Sequence, residues 1–75
     1  MDGNAEAVEF NVQGDFRCLD IPLKDMQLKP NILIAGIIRG RKTIIPAGDD
    51  VIRTGDRVIV ISTEHRLQDL SDIIA

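Results

Sequence analysis

His65 is the single histidine and Cys18 the single cysteine of this 75-residue chain, so nucleophilic or general-base chemistry has little to draw on. Nucleophilic catalysis needs a thiol or hydroxyl within reach of a base that a third group orients. Spacing alone leaves a Cys18–His65 pair open, yet no third orienting residue is identifiable. The simpler expectation is that Cys18, beside Leu19 and Ile21, packs as a small core or edge residue. His65, between Glu64 and Arg66, then reads as an exposed helix residue. Asp49, Asp50 and Asp56 form the local acidic cluster and offer oxygen ligands suited to a hard cation. They also lie at glycine-containing bends, where Asp is favoured for its own turn-capping hydrogen bonds, and this second reading is the expectation. Arg39, Arg41 and Lys42 crown a turn; a solvated turn is the default, with contact to an anion or acidic partner as the sharper alternative. No phosphate-cradling glycine motif is present. The chain is expected not to be an enzyme and to hold no metal.

Composition narrows the partners. Nine basic residues against twelve acidic ones leave a net charge of -3, the wrong sign for nucleic acid. Two phenylalanines, Phe10 and Phe16, with no Trp or Tyr, supply a base-stacking platform poorly. A lone cysteine permits no internal disulfide and favours a reducing compartment. The apolar run from Ile32 to Ile38 is far short of the ~20 residues that cross a bilayer. Met1 to Ala7 lacks the basic and apolar regions of a signal peptide. A cytoplasmic domain without membrane insertion is the expectation.

The elements follow from hydrophobic periodicity. Residues 1–6 are small and polar and read as a disordered terminus or linker remnant; residues 7–75 form the domain. Ala7 to Val12 alternates, with Val8, Phe10 and Val12 on one face, as a half-buried strand does. Pro22 suits the first position of a helical turn that points Leu23 and Met26 at a core, and Lys29-Pro30 ends it. Ile32 to Ile38 reads as a strand covered on both faces, with Gly36 marking a bulge or a close approach. Residues 39–42 turn back into a partner strand, Thr43 to Ile45, which Pro46 stops. Val51-Ile52 is a short extended piece, and Gly55 takes the φ > 0 position of the next turn. Arg57 to Ile61 is a second fully apolar strand. Leu67, Leu70, Ile73 and Ile74 fall at helical spacing, predicting a C-terminal helix capped by Ser62 or Thr63. The fold class is α+β: a small mixed or antiparallel sheet of four to five strands, a helical turn after the first, and a C-terminal helix.

Size and cover then conflict. A chain of this mass buries only about 60% of its surface on folding. One helix and one turn cannot cover both sides of a sheet whose central strands are apolar throughout. The simplest cover for the leftover face is a second copy, so a homodimer is expected, with the strand carrying Ile32, Ile34, Gly36 and Ile38 at its interface.

The run Asp20-Ile21-Pro22-Leu23-Lys24-Asp25-Met26, then Ile34-Ala35-Gly36-Ile37-Ile38-Arg39-Gly40 and Thr43-Ile44-Ile45-Pro46, resembles the TrkA C-terminal domain. So does the string from Gly48 to Ile61 that contains Val51-Ile52 and Gly55-Asp56-Arg57-Val58-Ile59-Val60. That family is also known as the C-terminal half of the RCK module, a regulator of potassium conductance. The similarity covers about Val8 to Ile74. It implies a cytoplasmic, dimeric regulatory domain of a Trk-type potassium uptake or related cation transport system. Such a domain sits at the inner face of the membrane through a membrane-embedded transporter subunit. It implies no cofactor here, since NAD(H) or ATP belongs to a Rossmann-type N-terminal domain absent from this chain. Some members bind cyclic di-AMP at the dimer interface. Their site resembles Lys29 and Asn31 with the hairpin end at Ile45 and Pro46, although Lys29 stands where the binders carry Arg and the segment from Leu28 to Asn31 is shorter than theirs. A purely structural role in subunit assembly is the alternative.

Overall fold

The computed structural model describes residues 5–75. Four strands make one sheet: β1 (Glu6–Asn11), β2 (Ile32–Arg39), β3 (Lys42–Ile44) and β4 (Arg57–Ser62). Their order is β1-β4-β2-β3, and every neighbouring pair is antiparallel. The linker expected over residues 1–6 lies mostly outside the described residues, but Glu6 already pairs with Ser62 as the first residue of β1. β2 and β3 join through Gly40-Arg41, with Gly40 at φ +61 in the first loop position, as a II′ hairpin requires.

A bulge interrupts the long apolar strand. Ile34 pairs with Val60 and Gly36 with Ile59, so Ala35 is an extra residue on β2. Ile34 and Ile37, three apart, therefore both face inward, and a β-carbon at Gly36 would meet the Ile59 side chain at ordinary contact distance. The inner face of the sheet carries Ile34, Ile37, Val58 and Val60, all buried. Among the described residues no α-helix covers it. Irregular chain does: Val12 and Phe16 after β1, Met26 after a 3₁₀ turn at Leu23–Asp25, Ile52 before β4, and Leu67, Leu70 and Ile73 at the C-terminus.

Two expectations need correcting. The short extended piece at Val51-Ile52 does not add a fifth strand: Ile52 is fully buried, and its carbonyl accepts the Asp20 N–H outside any ladder. The C-terminal helix is replaced by a loop and one 3₁₀ turn, Leu70–Ile73. The physical reason lies in the side chains. The N–H groups of Gln68 and Asp69 both donate to the Asp72 carboxylate, and Asp69 and Asp72 form a capping box. A carboxylate that takes the backbone donors stops an α-helix before it propagates. The buried side chains, Leu67, Leu70 and Ile73, recur every three residues, which is the 3₁₀ repeat.

Candidate functional site

The sheet's outer face is built from the register. Leu33 opposes Ile61, Gly36 opposes Ile59, and Ile38 opposes both Arg57 and Thr43. These side chains point away from the core cluster, and Ile38, Ile59 and Ile61 are half-buried. Leu33 is 59% exposed and Ile45, just past β3, is 81% exposed. An apolar groove of about 240 Å³ opens beside this face. Leu33 and Ile34 form one wall, Leu23, Lys24 and Leu28 another, and Pro46 to Gly48 the end. Leu33 thus belongs to both features.

The groove is held by backbone bonds. The Leu23 and Lys24 N–H groups donate to Asp50 and Gly48 carbonyls at 2.9 and 3.0 Å, docking the 3₁₀ turn on the loop after β3. Leu28 bridges to Ile74, and the Lys29 N–H donates to the Ile73 carbonyl at 2.9 Å. Lys24 also pairs with Asp49 at 2.8 Å, but both side chains are well exposed, and such pairs contribute about 0–1 kcal/mol.

Of the four ligand residues suggested by resemblance, Pro46 lines the groove and exposed Ile45 adjoins it. Lys29 and Asn31 lie on the segment joining Leu28 to β2, and neither lines the groove. Asn31 takes a left-handed φ of +64, and its carbonyl accepts the Thr63 N–H. Of the four suggested interface residues, Ile38 and Gly36 belong to the outer face, whereas Ile34 is buried in the protomer's own core and Ile32 sits half-buried on the same side as Ile34. Leu33 and Leu28 were not singled out from the sequence, and Leu23 was read only as a core-facing residue of the helical turn. Strict alternation up to the bulge was the available signal, since it places Leu33 opposite in sense to Ile32 and Ile34.

Arg39 was expected in a solvated turn with Arg41 and Lys42, and the structure places it elsewhere. Its Nε and Nη2 donate to the two Asp56 carboxylate oxygens at 2.9 and 2.8 Å, and Nη2 also donates to the Val51 carbonyl. Asp56 is 2% exposed and accepts the Arg53 N–H as well. Burial pushes the Asp56 carboxyl up, but the Arg39 hydrogen bond, the Arg53 N–H and both positive charges together hold it below the usual carboxylate range. The same bond raises the Arg39 guanidinium. The pair clamps the end of β2 onto the turn before β4. Asp50 caps its own turn by accepting the Ala47 N–H at 2.7 Å. Among the described residues no three His, Cys, Asp or Glu side chains are grouped to hold a metal ion.

Cys18 packs half-buried against the core, and the His65 ring nitrogen Nε2 lies 3.1 Å from the Pro30 carbonyl. Ser62 Oγ exchanges hydrogen bonds with the His65 backbone, fixing that turn. Neither Cys18 nor His65 bonds to the other among the described residues. No helix among them is long and apolar enough to cross a membrane.

Comparison with known proteins agrees with this architecture. The chain is 36% identical over 58 residues to Trk system potassium uptake protein TrkA homolog 1 of Methanosarcina mazei, covering 77% of this chain and 13% of that protein. It is 34% identical over 71 residues to a Trk system potassium uptake protein TrkA homolog of Archaeoglobus fulgidus, covering 95% of this chain and 16% of the relative. The chain therefore spans a small fraction of these relatives. A solved structure of an RCK domain with cda superposes with a TM-score of 0.67 at 29% identity, covering 77% of this chain and 81% of that one. The profile of the TrkA-C domain matches residues 7–75, and the chain belongs to that family.

Proposed function

We propose that this chain is a cytoplasmic regulatory domain of a Trk-type potassium uptake system, acting as a homodimer that senses a small ligand and passes its state to a membrane-embedded transporter subunit. The observation that carries this reading is Leu33: one side chain serves both the uncovered apolar sheet face and the groove that opens onto it. Apposing two outer faces removes Leu33, Ile38, Ile59 and Ile61 from water, with Ile32 and Ile34 backing them from the core side. It also brings two grooves to one seam. A ligand held across that seam favours whichever dimer arrangement contacts it better, and only such a difference in affinity can shift the population.

Cyclic di-AMP is the ligand this reading names. Pro46 and Ile45 would meet its base rings, with Lys29 and Asn31 reaching in from the neighbouring segment to phosphate and base edge. A second reading, assembly without a ligand, draws support from the positions of Lys29 and Asn31 outside the groove.

Sedimentation equilibrium with thermal-shift titration of cyclic di-AMP tests both. The regulatory reading expects a dimer at micromolar concentration that Leu33→Glu dissociates, and a melting point that rises with cyclic di-AMP in the dimer. A dimer indifferent to cyclic di-AMP selects assembly alone. A monomer at every accessible concentration overturns both.

A further inference from the structure

A second concavity is larger than the groove. A cleft of about 450 Å³ lies between the loop after β1 and the second 3₁₀ turn, sharing no residue with the groove. Its volume falls within the roughly 300–1,000 Å³ of small-molecule sites. Phe16 and Leu70, both buried, give it an apolar floor. Asp15 and Arg17 flank Phe16 in the chain and supply one charge of each sign at the rim. The facing wall is acidic at Asp69, whose carboxylate is already engaged by the Ser71 hydroxyl and the capped backbone of the turn. Asn11 and Gln13 add two side-chain amides. Among the described residues, the side chains of Asn11, Gln13, Asp15 and Arg17 make no hydrogen bond or ion pair within the protein, so their capacity faces the cleft and solvent.

Charge selects the occupant. Arg17 against Asp15 and Asp69 leaves the lining one charge negative, so a phosphate or dicarboxylate meets more acid than base. A simple cation leaves the Arg17 fork unmatched. A zwitterion satisfies both: a carboxylate accepts the paired N–H groups of Arg17, and an ammonium donates to Asp15. Phe16 and Leu70 then take an apolar side chain. We propose that this cleft is a second ligand site that binds a free α-amino acid with an apolar side chain. It goes beyond the regulatory reading and stands or falls without it, because the two concavities have different walls.

Heteronuclear NMR titration of the 75-residue chain with L-leucine and L-phenylalanine tests the site. Saturable shifts are expected at the Asn11, Gln13, Arg17 and Leu70 amides, with none at Leu28 or Leu33. N-acetyl-leucine, lacking the ammonium, and leucinamide, lacking the carboxylate, bind more weakly, and inorganic phosphate leaves those amides unmoved. Arg17→Gln and Asp15→Asn, both at exposed positions, each weaken binding at least about tenfold, with the melting temperature unchanged. No saturable shift with either amino acid at millimolar concentration overturns the proposal. Equal binding of N-acetyl-leucine, equal shifts with phosphate, or undiminished binding by both variants does so too.

Discussion

The two faces of the sheet carry the same aliphatic residue types and meet opposite surroundings. Inside, Ile37, Val58 and Val60 are fully buried beneath loops that supply Phe16, Met26, Ile52, Leu70 and Ile73. Outside, Leu33 keeps more than half its surface in water, and Ile38, Ile59 and Ile61 beside it are half-buried. Among the described residues, the irregular segments between the strands lie over the inner face. The inner face therefore contributes to the stability of the protomer, and the outer face has apolar surface left for association.

Truncation on each face breaks or sharpens that contrast, and the largest effect belongs to the inner face. Ile37→Ala removes a fully buried side chain from the middle of β2 and is expected to cost about 2–5 kcal/mol in denaturant unfolding. Leu33→Ala, four residues earlier, is expected to change protomer stability by less than about 0.5 kcal/mol. On the proposed dimer it is expected to shift the sedimentation profile towards monomer instead. Equal losses in unfolding from the two variants would contradict the division of labour between the faces.

Next in size is the clamp at the edge of the inner face. Arg39→Met leaves the Asp56 carboxylate buried beside an apolar chain, with the Arg53 N–H as its remaining partner. The expected loss is about 2–3 kcal/mol, less than for a fully buried pair because the Arg39 side chain is 31% exposed. Arg57 and Glu9 provide the outer-face counterpart, a 3.4 Å pair with both side chains about half exposed. Arg57→Met should cost at most a few tenths of a kcal/mol in the same measurement. A clamp variant as mild as the surface variant would show that burial of Asp56 carries no consequence.

The strands, the hairpin and the positive φ of Gly55 were legible because each rests on local signals: alternation, β-branching and turn glycines. The C-terminal helix was misread because Leu67, Leu70 and Ile73 satisfy a three-residue repeat as well as a helical one. The arbiter is a contact between Asp72 and the Gln68 and Asp69 N–H groups that periodicity does not weigh. Arg39 was misplaced through its neighbours in sequence, Arg41 and Lys42. Counting by two from Ile37 puts Arg39 on the core face, and counting back by two from Val58 puts Asp56 there too. The clamp was thus written in the strand pattern, though its pairing needs the register of β2 against β4. The groove was less legible still, since Leu23, Leu28, Leu33 and Pro46 are brought together by backbone bonds between loops and the C-terminal residues.

Acid should separate the clamp from the rest of the inner face. The folded-state carboxyl of Asp56 titrates below its unfolded value, so its contribution is fully present above the ordinary carboxylate range and is lost as pH falls through the folded pKa. Unfolding free energy measured from neutral pH downwards should therefore fall, and Asp56→Asn, already less stable at neutral pH, should fall less. Asp72 is also held low by the Gln68 and Asp69 N–H groups, so the Asn variant retains some slope from the C-terminal turn. Identical slopes in the two proteins would remove Asp56 from the acid response.

Gly36 gives the smallest and most discriminating effect, because it lies within β2 on the outer face, opposite Ile59. A methyl group there would lie 3.5 Å from Ile59 Cδ1, an ordinary contact, and the backbone φ is not one that requires glycine. Gly36→Ala is therefore expected to leave protomer unfolding within about 0.5 kcal/mol of the parent. On the outer face the same methyl stands between Leu33 and Ile38, the two residues that flank it on β2. If two copies pack closely across this strand, the added volume has no room and dimer dissociation rises in sedimentation equilibrium while the protomer stays intact. If association is unchanged, the strand's middle stays clear of the seam, and the contact is confined to Leu33 and Ile45 at the mouth of the groove.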